Sequence, residues 1–185
     1  IYVYPVGTNS TNEPAGSVLV RRAYAEAAPF ASSYIATSGA AAQRLDDSLT
    51  FTRAGTPEGT VVIEARTAPG KGSVETLWFW SSPDLSRIYI DRSSAGAIRC
   101  HVNNVPSGGP FFNISLANVP DNTDFRVAMA WSKDYLAASL NGAPALVNTT
   151  AYDVPEFDVL SIGKAVSSAH WFGAIARFSL LDRAY

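Results

Sequence analysis

FRVAMAWSKDYLAASLNG, residues 125–142, alternates large apolar with small or polar side chains, turns, and alternates again. Phe125, Val127, Met129 and Trp131 fall on one face and Arg126, Ala128 and Ala130 on the other, the period-two pattern of a strand with one buried side. Ser132-Lys133-Asp134 supplies a tight turn into a second strand, and Asn141-Gly142 closes it with a dipeptide that favours the left-handed backbone of hairpin turns. Across the pair, Val127, Met129, Leu136, Ala138 and Leu140 form one side. Ala128, Ala130, Ala137 and Ser139 form a flat strip on the other, suited to close approach of another chain, of the N-terminal segment or of a saccharide.

Outward from this hairpin the same alternation continues, punctuated by Gly, Pro, Asn and Ser clusters. It predicts strands at 1–6, 16–25, 48–53, 60–68, 74–81, 86–92, 96–103, 110–116, 124–132, 135–141, 144–148, 157–162 and 170–182. Helix has little support beyond one turn at Ser38 to Ala42. With 185 residues, 47% of them hydrophobic, the chain has the size of a single sandwich core. Only 16% of residues are charged and the net charge is −2, so the basic field that nucleic-acid binding requires is missing. No apolar run approaches the roughly 20 residues of a membrane span, which excludes helical membrane insertion. The first residues lack the basic-then-apolar pattern of a signal peptide. Ile1 is not an initiating residue, and a fragment of a longer protein is expected. The single cysteine, Cys100, sits within Ala97-Ile98-Arg99-Cys100-His101-Val102 and reads as a small buried thiol.

Chemistry needs particular groups, and these are sparse. A glycosidase requires two facing carboxylates, yet Glu13, Glu26, Glu58, Glu64, Glu75 and Glu156 never pair at a suitable spacing. Glu64 and Arg66 share a strand face and read as members of cross-strand or same-strand ion pairs at the sheet surface. His101 and His170 have no zinc-ligand spacing, and no Gly-x-Ser-x-Gly elbow occurs. No catalytic site is expected.

Aromatic residues are better placed. Sugar rings offer apolar C–H faces ringed by hydroxyls, so a sugar site pairs an exposed aromatic platform with Asn, Asp or Arg hydrogen-bond partners. Leu77-Trp78-Phe79-Trp80 is apolar on both faces. In a two-layer sandwich one face meets the core, so either Trp78 with Trp80 or Leu77 with Phe79 points away, into a covering element, a subunit interface or a ligand groove. The candidate platform residues are Trp80, Tyr89, His170 and Trp171, with Arg87, Asn103 and Asn141 as hydrogen-bonding partners.

Three further segments carry a resemblance. VLSIG at 159–163 and WFGAIARFSLLDRAY at 171–185, following the hairpin, are similar to the C-terminal half of a laminin-G-like or concanavalin-A-like jelly roll. LWFWSSPDLSRIYIDRSSAGAIRCHVN at 77–103 resembles the paired middle strands of bacteriophage tail proteins. AEAAPFASSYIATSGAAAQRLDD at 25–47 resembles a junction of bacteriophage and prophage tail-fibre proteins, with Ala36 where a proline is usual. The resemblance implies an all-β protein, an antiparallel β-sandwich of the concanavalin-A-like jelly-roll type at 48–185. Residues 27–47 would be an extended connector, and 1–26 the terminal strands of a preceding sandwich or added edge strands.

It further implies a non-catalytic carbohydrate-binding domain of an extracellular virion appendage. The partners would be host-surface polysaccharide and other domains of the appendage, in a homo-oligomer, a trimer by analogy. The alternatives are a structural or oligomerisation module without ligand and a glycan-degrading domain. Calcium is a further implication, with oxygen ligands on offer at Asp121, Asn122, Asp124, Asp153, Glu156 and Asp158, although Asp and Asn also initiate turns.

Overall fold

The computed structural model describes residues 49–69, 74–82, 86–103, 112–165 and 169–185. All of them fall within the compact unit Asp46–Tyr185. The strands expected at 1–6 and 16–25, the connector at 27–47 and the helical turn at 38–42 lie outside these residues.

Eleven strands and no helix occur among the described residues: β1 (Leu49–Thr52), β2 (Gly59–Thr67), β3 (Glu75–Ser81), β4 (Arg87–Arg92), β5 (Ala97–Asn103), β6 (Phe112–Asn118), β7 (Asp124–Ser132), β8 (Tyr135–Leu140), β9 (Leu146–Asn148), β10 (Val159–Ile162) and β11 (Gly173–Leu181). They form two sheets. One has six strands in the order β1-β10-β3-β4-β5-β6 and the other five in the order β11-β2-β7-β8-β9. Every neighbouring pair is antiparallel.

The core lies between the two sheets. From the five-stranded sheet come Val61, Ile63, Val127, Met129, Trp131, Leu136 and Leu140; from the six-stranded sheet come Trp78, Trp80, Ile88, Ile90, Ile98, Cys100, Val102 and Ile114. The ambiguity of Leu77-Trp78-Phe79-Trp80 is thereby resolved: the two tryptophans point inward. Trp78 and Trp131 rings lie 5.8 Å apart, and Trp80 meets Trp131 edge-on at 6.4 Å and Phe157 at 5.6 Å. Rings at these separations add to the burial of their apolar area. Gly59, opposite Trp131 in the β2–β7 ladder, is required by this cluster, because a Cβ there would run into the indole.

Local chemistry sets the hairpins. The β7–β8 turn places Asp134 at φ 57°, and Asp134 Oδ1 accepts the Tyr152 backbone N–H at 2.7 Å. After β8, Asn141 and Gly142 have φ of 54° and 76°, and the Ala143 N–H donates to the Leu140 carbonyl at 3.0 Å. Both central residues are left-handed, the geometry that Asn-Gly adopts most readily. On β2 and β7, Arg66 pairs with Asp124 at 3.0 Å and Arg126 Nε stands 4.0 Å from Glu64. Glu64 and Arg66 thus pair across the ladder rather than with each other.

One charged cluster sits inside. Arg92, fully buried, donates to the Val119 carbonyl at 2.8 Å and to Asp121 at 2.7 Å, with Glu75 at 3.7 Å. A buried guanidinium has to meet acceptors on several sides, and these three are among its partners.

Candidate functional site

Strands β4, RIYIDR, and β5, AIRCHVN, each send alternate residues to opposite faces. Ile88, Ile90, Ile98, Cys100 and Val102 enter the core. Arg87, Tyr89 and Asp91 on β4 and Arg99, His101 and Asn103 on β5 therefore share the outer face of the six-stranded sheet. The turn at 93–96 sets the register: the Ser93 N–H donates to the Ala97 carbonyl at 2.8 Å, and Gly96 adopts φ 99°. Arg87 then lies opposite Asn103, Tyr89 opposite His101, and Asp91 opposite Arg99. Neighbouring strands extend the rows, Phe79 joining Tyr89 from β3 and Asn113 and Ser115 joining His101 and Arg99 from β6.

The face has a buried floor and an open rim. Asp91, His101 and Phe79 are buried, Tyr89 and Asn103 are half-buried, and Arg87, Asn113 and Ser115 are exposed. Arg99 grips Asp91 with two hydrogen bonds of 2.7 Å, and His101 Nε2 stands 3.3 Å from Asp91 Oδ1. Burial alone would raise the Asp91 carboxyl, but hydrogen bonds from His101 and Arg99 outweigh it and hold the group below its ordinary value. The same contact raises Arg99. His101, so anchored, stacks on Tyr89 at 4.4 Å with an interplanar angle of 17°, and Phe79 flanks the tyrosine at 5.9 Å. Burial, then the charge of Asp91, raises the Tyr89 phenol and keeps its hydroxyl neutral. The Arg87 guanidinium sits 5.7 Å from the Tyr89 ring centroid, within cation–π range.

This arrangement suits recognition. The neutral phenol of Tyr89, its ring flanked by His101 and Phe79 from the two neighbouring strands, lines up with a guanidinium and an amide. Among the described residues of this face Asp91 is the one carboxylate, and it is already engaged, so the acid and base pair that glycoside cleavage needs is missing there.

Of the residues expected from sequence, Arg87, Tyr89 and Asn103 come together on this face. Trp80 does not: it alternates to the core, is 0% exposed, and donates from its indole to the Arg53 carbonyl at 3.2 Å. Trp171 is likewise buried, edge-on to Phe125 at 5.8 Å, and offers no platform. Asn141 belongs to the turn leaving β8 on the opposite sheet, its side-chain carbonyl accepting the Arg126 N–H at 2.8 Å. His170 is half-buried in an isolated bridge with Lys164 rather than on β4 or β5. Asp91, Arg99, His101, Phe79, Asn113 and Ser115 were not foreseen. Their signal was the polar alternation of RIYIDR and AIRCHVN, which points to one face only once the register is known. Among the carboxylates considered for calcium, Asp121 binds Arg92, Asp124 binds Arg66 and Asp153 binds Lys133. No group of three or more His, Cys, Asp or Glu converges among the described residues.

Two shallow depressions are also found among the described residues. One of about 420 Å³ runs beside β6, between Leu116, Val119, Pro120 and Leu140, Pro144, Leu146. Another, of about 370 Å³, covers the alanine strip, where Ala128, Ala130, Ala137 and Ser139 meet Leu181 and Tyr185. Both are walled chiefly by apolar groups, with Ser115, Asn118, Thr123 and Asn141 also lining the first.

No family model matches the chain, and no curated protein matches it in sequence. Solved structures do match in fold. The carbohydrate-binding module CBM40 of the Ruminococcus gnavus IT-sialidase, bound to α2,3-sialyllactose, superposes with a TM-score of 0.57 at 16% identity, over 69% of this chain and 77% of that one. The heptameric SAP-like pentraxin of Limulus polyphemus gives 0.56 at 14% identity, over 75% and 70%. The LG1–3 region of the laminin α2 chain gives 0.59 at 13% identity, over 75% of this chain and 30% of that one. The architecture is therefore the concanavalin-A-like sandwich shared by laminin G, pentraxin and CBM40 domains.

Proposed function

We propose that this domain binds carbohydrate without cleaving it, on the outer face of the six-stranded sheet. The observation that carries the reading is the row Arg87, Tyr89, Asn103, a half-buried aromatic ring with an exposed guanidinium and a half-buried amide beside it, braced by His101, Asp91 and Arg99. The sialyllactose bound by the similar CBM40 supports glycan as the ligand class. A single site of this kind binds weakly, about −4 kcal/mol at millimolar affinity, so repeated copies supply avidity.

The wider setting belongs to the same proposal. The tail-fibre-like junction at 25–47 supports a place in an extracellular, phage-type receptor-binding appendage that contacts host-surface polysaccharide as a homo-oligomer. A second reading, a structural module that packs against another chain, is favoured by the apolar alanine strip with its half-open rim of Leu181 and Tyr185.

A glycan array on the intact protein, with Tyr89→Ala and Trp80→Ala, tests the first reading. Tyr89→Ala should reduce binding roughly tenfold or more while costing about 1 kcal/mol of stability through its ring contacts. Trp80→Ala should cost about 3–5 kcal/mol, as a buried aromatic does. Unchanged glycan binding by Tyr89→Ala would place the site elsewhere.

A further inference from the structure

The charges of the outer face do not cancel. Asp91 is consumed by Arg99 and His101, and it is the one carboxylate among the described residues there. Arg53, Arg66, Arg92, Arg99, Arg126 and Lys133 each lie within ion-pair distance of a carboxylate. Arg87 differs. It is exposed, its contact is the Tyr89 ring, and its cross-strand partner is the neutral Asn103. Among the described residues, no carboxylate therefore meets this guanidinium, which is held beside the Tyr89 ring and flanked by an amide.

We propose, building on the carbohydrate-binding reading, that the site selects an acidic saccharide whose carboxylate is taken by Arg87 while the sugar ring packs on Tyr89. A guanidinium presents paired N–H donors that match the two oxygens of a planar carboxylate, giving geometric selection as well as charge. Asn103 supplies a donor and an acceptor for neighbouring hydroxyls. Asp91 is withheld from the sugar by its two partners, so it neither repels the incoming carboxylate at close range nor competes for Arg87. Neutral glycans would gain the ring contact but leave Arg87 without its partner.

The test is an array of acidic glycans printed beside their carboxyl-reduced counterparts and beside sulfated neutral glycans, probed with the intact protein, Arg87→Gln, Arg87→Lys and Tyr89→Ala. Carboxylate-bearing glycans should dominate the bound set, with signal falling about tenfold on carboxyl reduction and falling again between about 0.05 and 0.5 M sodium chloride, where screening strengthens. Arg87→Gln should remove the acidic preference at unchanged melting temperature, Arg87→Lys should keep part of it as a point charge, and Tyr89→Ala should reduce binding of acidic and neutral glycans alike, roughly tenfold or more. Equal signal from reduced glycans, a preference for sulfated ones, or a preference that survives in Arg87→Gln would overturn the acidic specificity and leave the carbohydrate reading standing. Absence of binding to every glycan by the parent protein would overturn both.

Discussion

Asp91 couples stability to the shape of the outer β4–β5 face. Its carboxyl is buried, yet its two partners hold it below the ordinary value of about 3.9. A group depressed in the folded state adds stability that is fully present above the unfolded value and is lost as pH falls through the folded one. The advantage of the parent over Asp91→Asn should therefore be constant near neutrality, about 2 kcal/mol for a hydrogen-bonded charged group, and should shrink below about pH 4. Denaturant unfolding of both proteins between neutrality and acid measures it. A gap that persists unchanged into strong acid would show that the carboxylate charge is not what the site uses. With Asp91 protonated, His101 loses its anchor, so the stack on Tyr89 should loosen over the same range.

At the scale of elements, the β2–β7 ladder separates two ways in which glycine is needed. Gly59 faces the Trp131 ring, and Gly59→Ala should cost about 1–3 kcal/mol by overpacking. Gly142 has open space around its Cβ position and φ of 76°, so Gly142→Ala should cost only its backbone strain, about 1 kcal/mol. Equal costs in an unfolding titration would mean that the Trp131 cluster yields to the added methyl. Most strands were legible from alternation, because one face of each meets the core and the other does not; β7 and β8 lie where the pattern put them, within a residue. Strand β3 defeated that logic, since all seven of its residues are buried and an apolar residue on either face leaves the direction of Trp80 undecided. The recognition face was only half legible for a related reason. Arg87, Tyr89 and Asn103 announce themselves as sugar-binding types, whereas Asp91, Arg99 and His101 acquire meaning only through the β4–β5 register, a property of two strands together. Asn141 misled in the opposite sense: its residue type suits a ligand, but its position before Gly142 already assigned it to a turn.

Across the whole molecule the two sheets differ in how their strands are protected. Strands β2, β3, β4 and β7 are each paired on both sides and send large side chains into one shared core, whereas β1, β6, β9 and β11 are sheet edges. Hydrogen exchange should be slowest in the first group and fastest in β1 and β9, which are short and largely exposed. Fast exchange in β4 would mean that the recognition face opens independently of the core. Because the core and the candidate site are opposite faces of the same β4 and β5, the platform inherits the rigidity of the interior. Cys100 sits on the inward side of that pair, wholly buried, with burial pushing its thiol far above the usual range. The chain's single sulfhydryl is therefore hidden from alkylating reagents while the fold persists. A cysteine introduced at exposed Asn113 or Ser115 becomes a unique reactive handle, and a maleimide fluorophore attached there would sit at the rim of the proposed sugar platform, where a change of emission on adding glycan would report its arrival in real time.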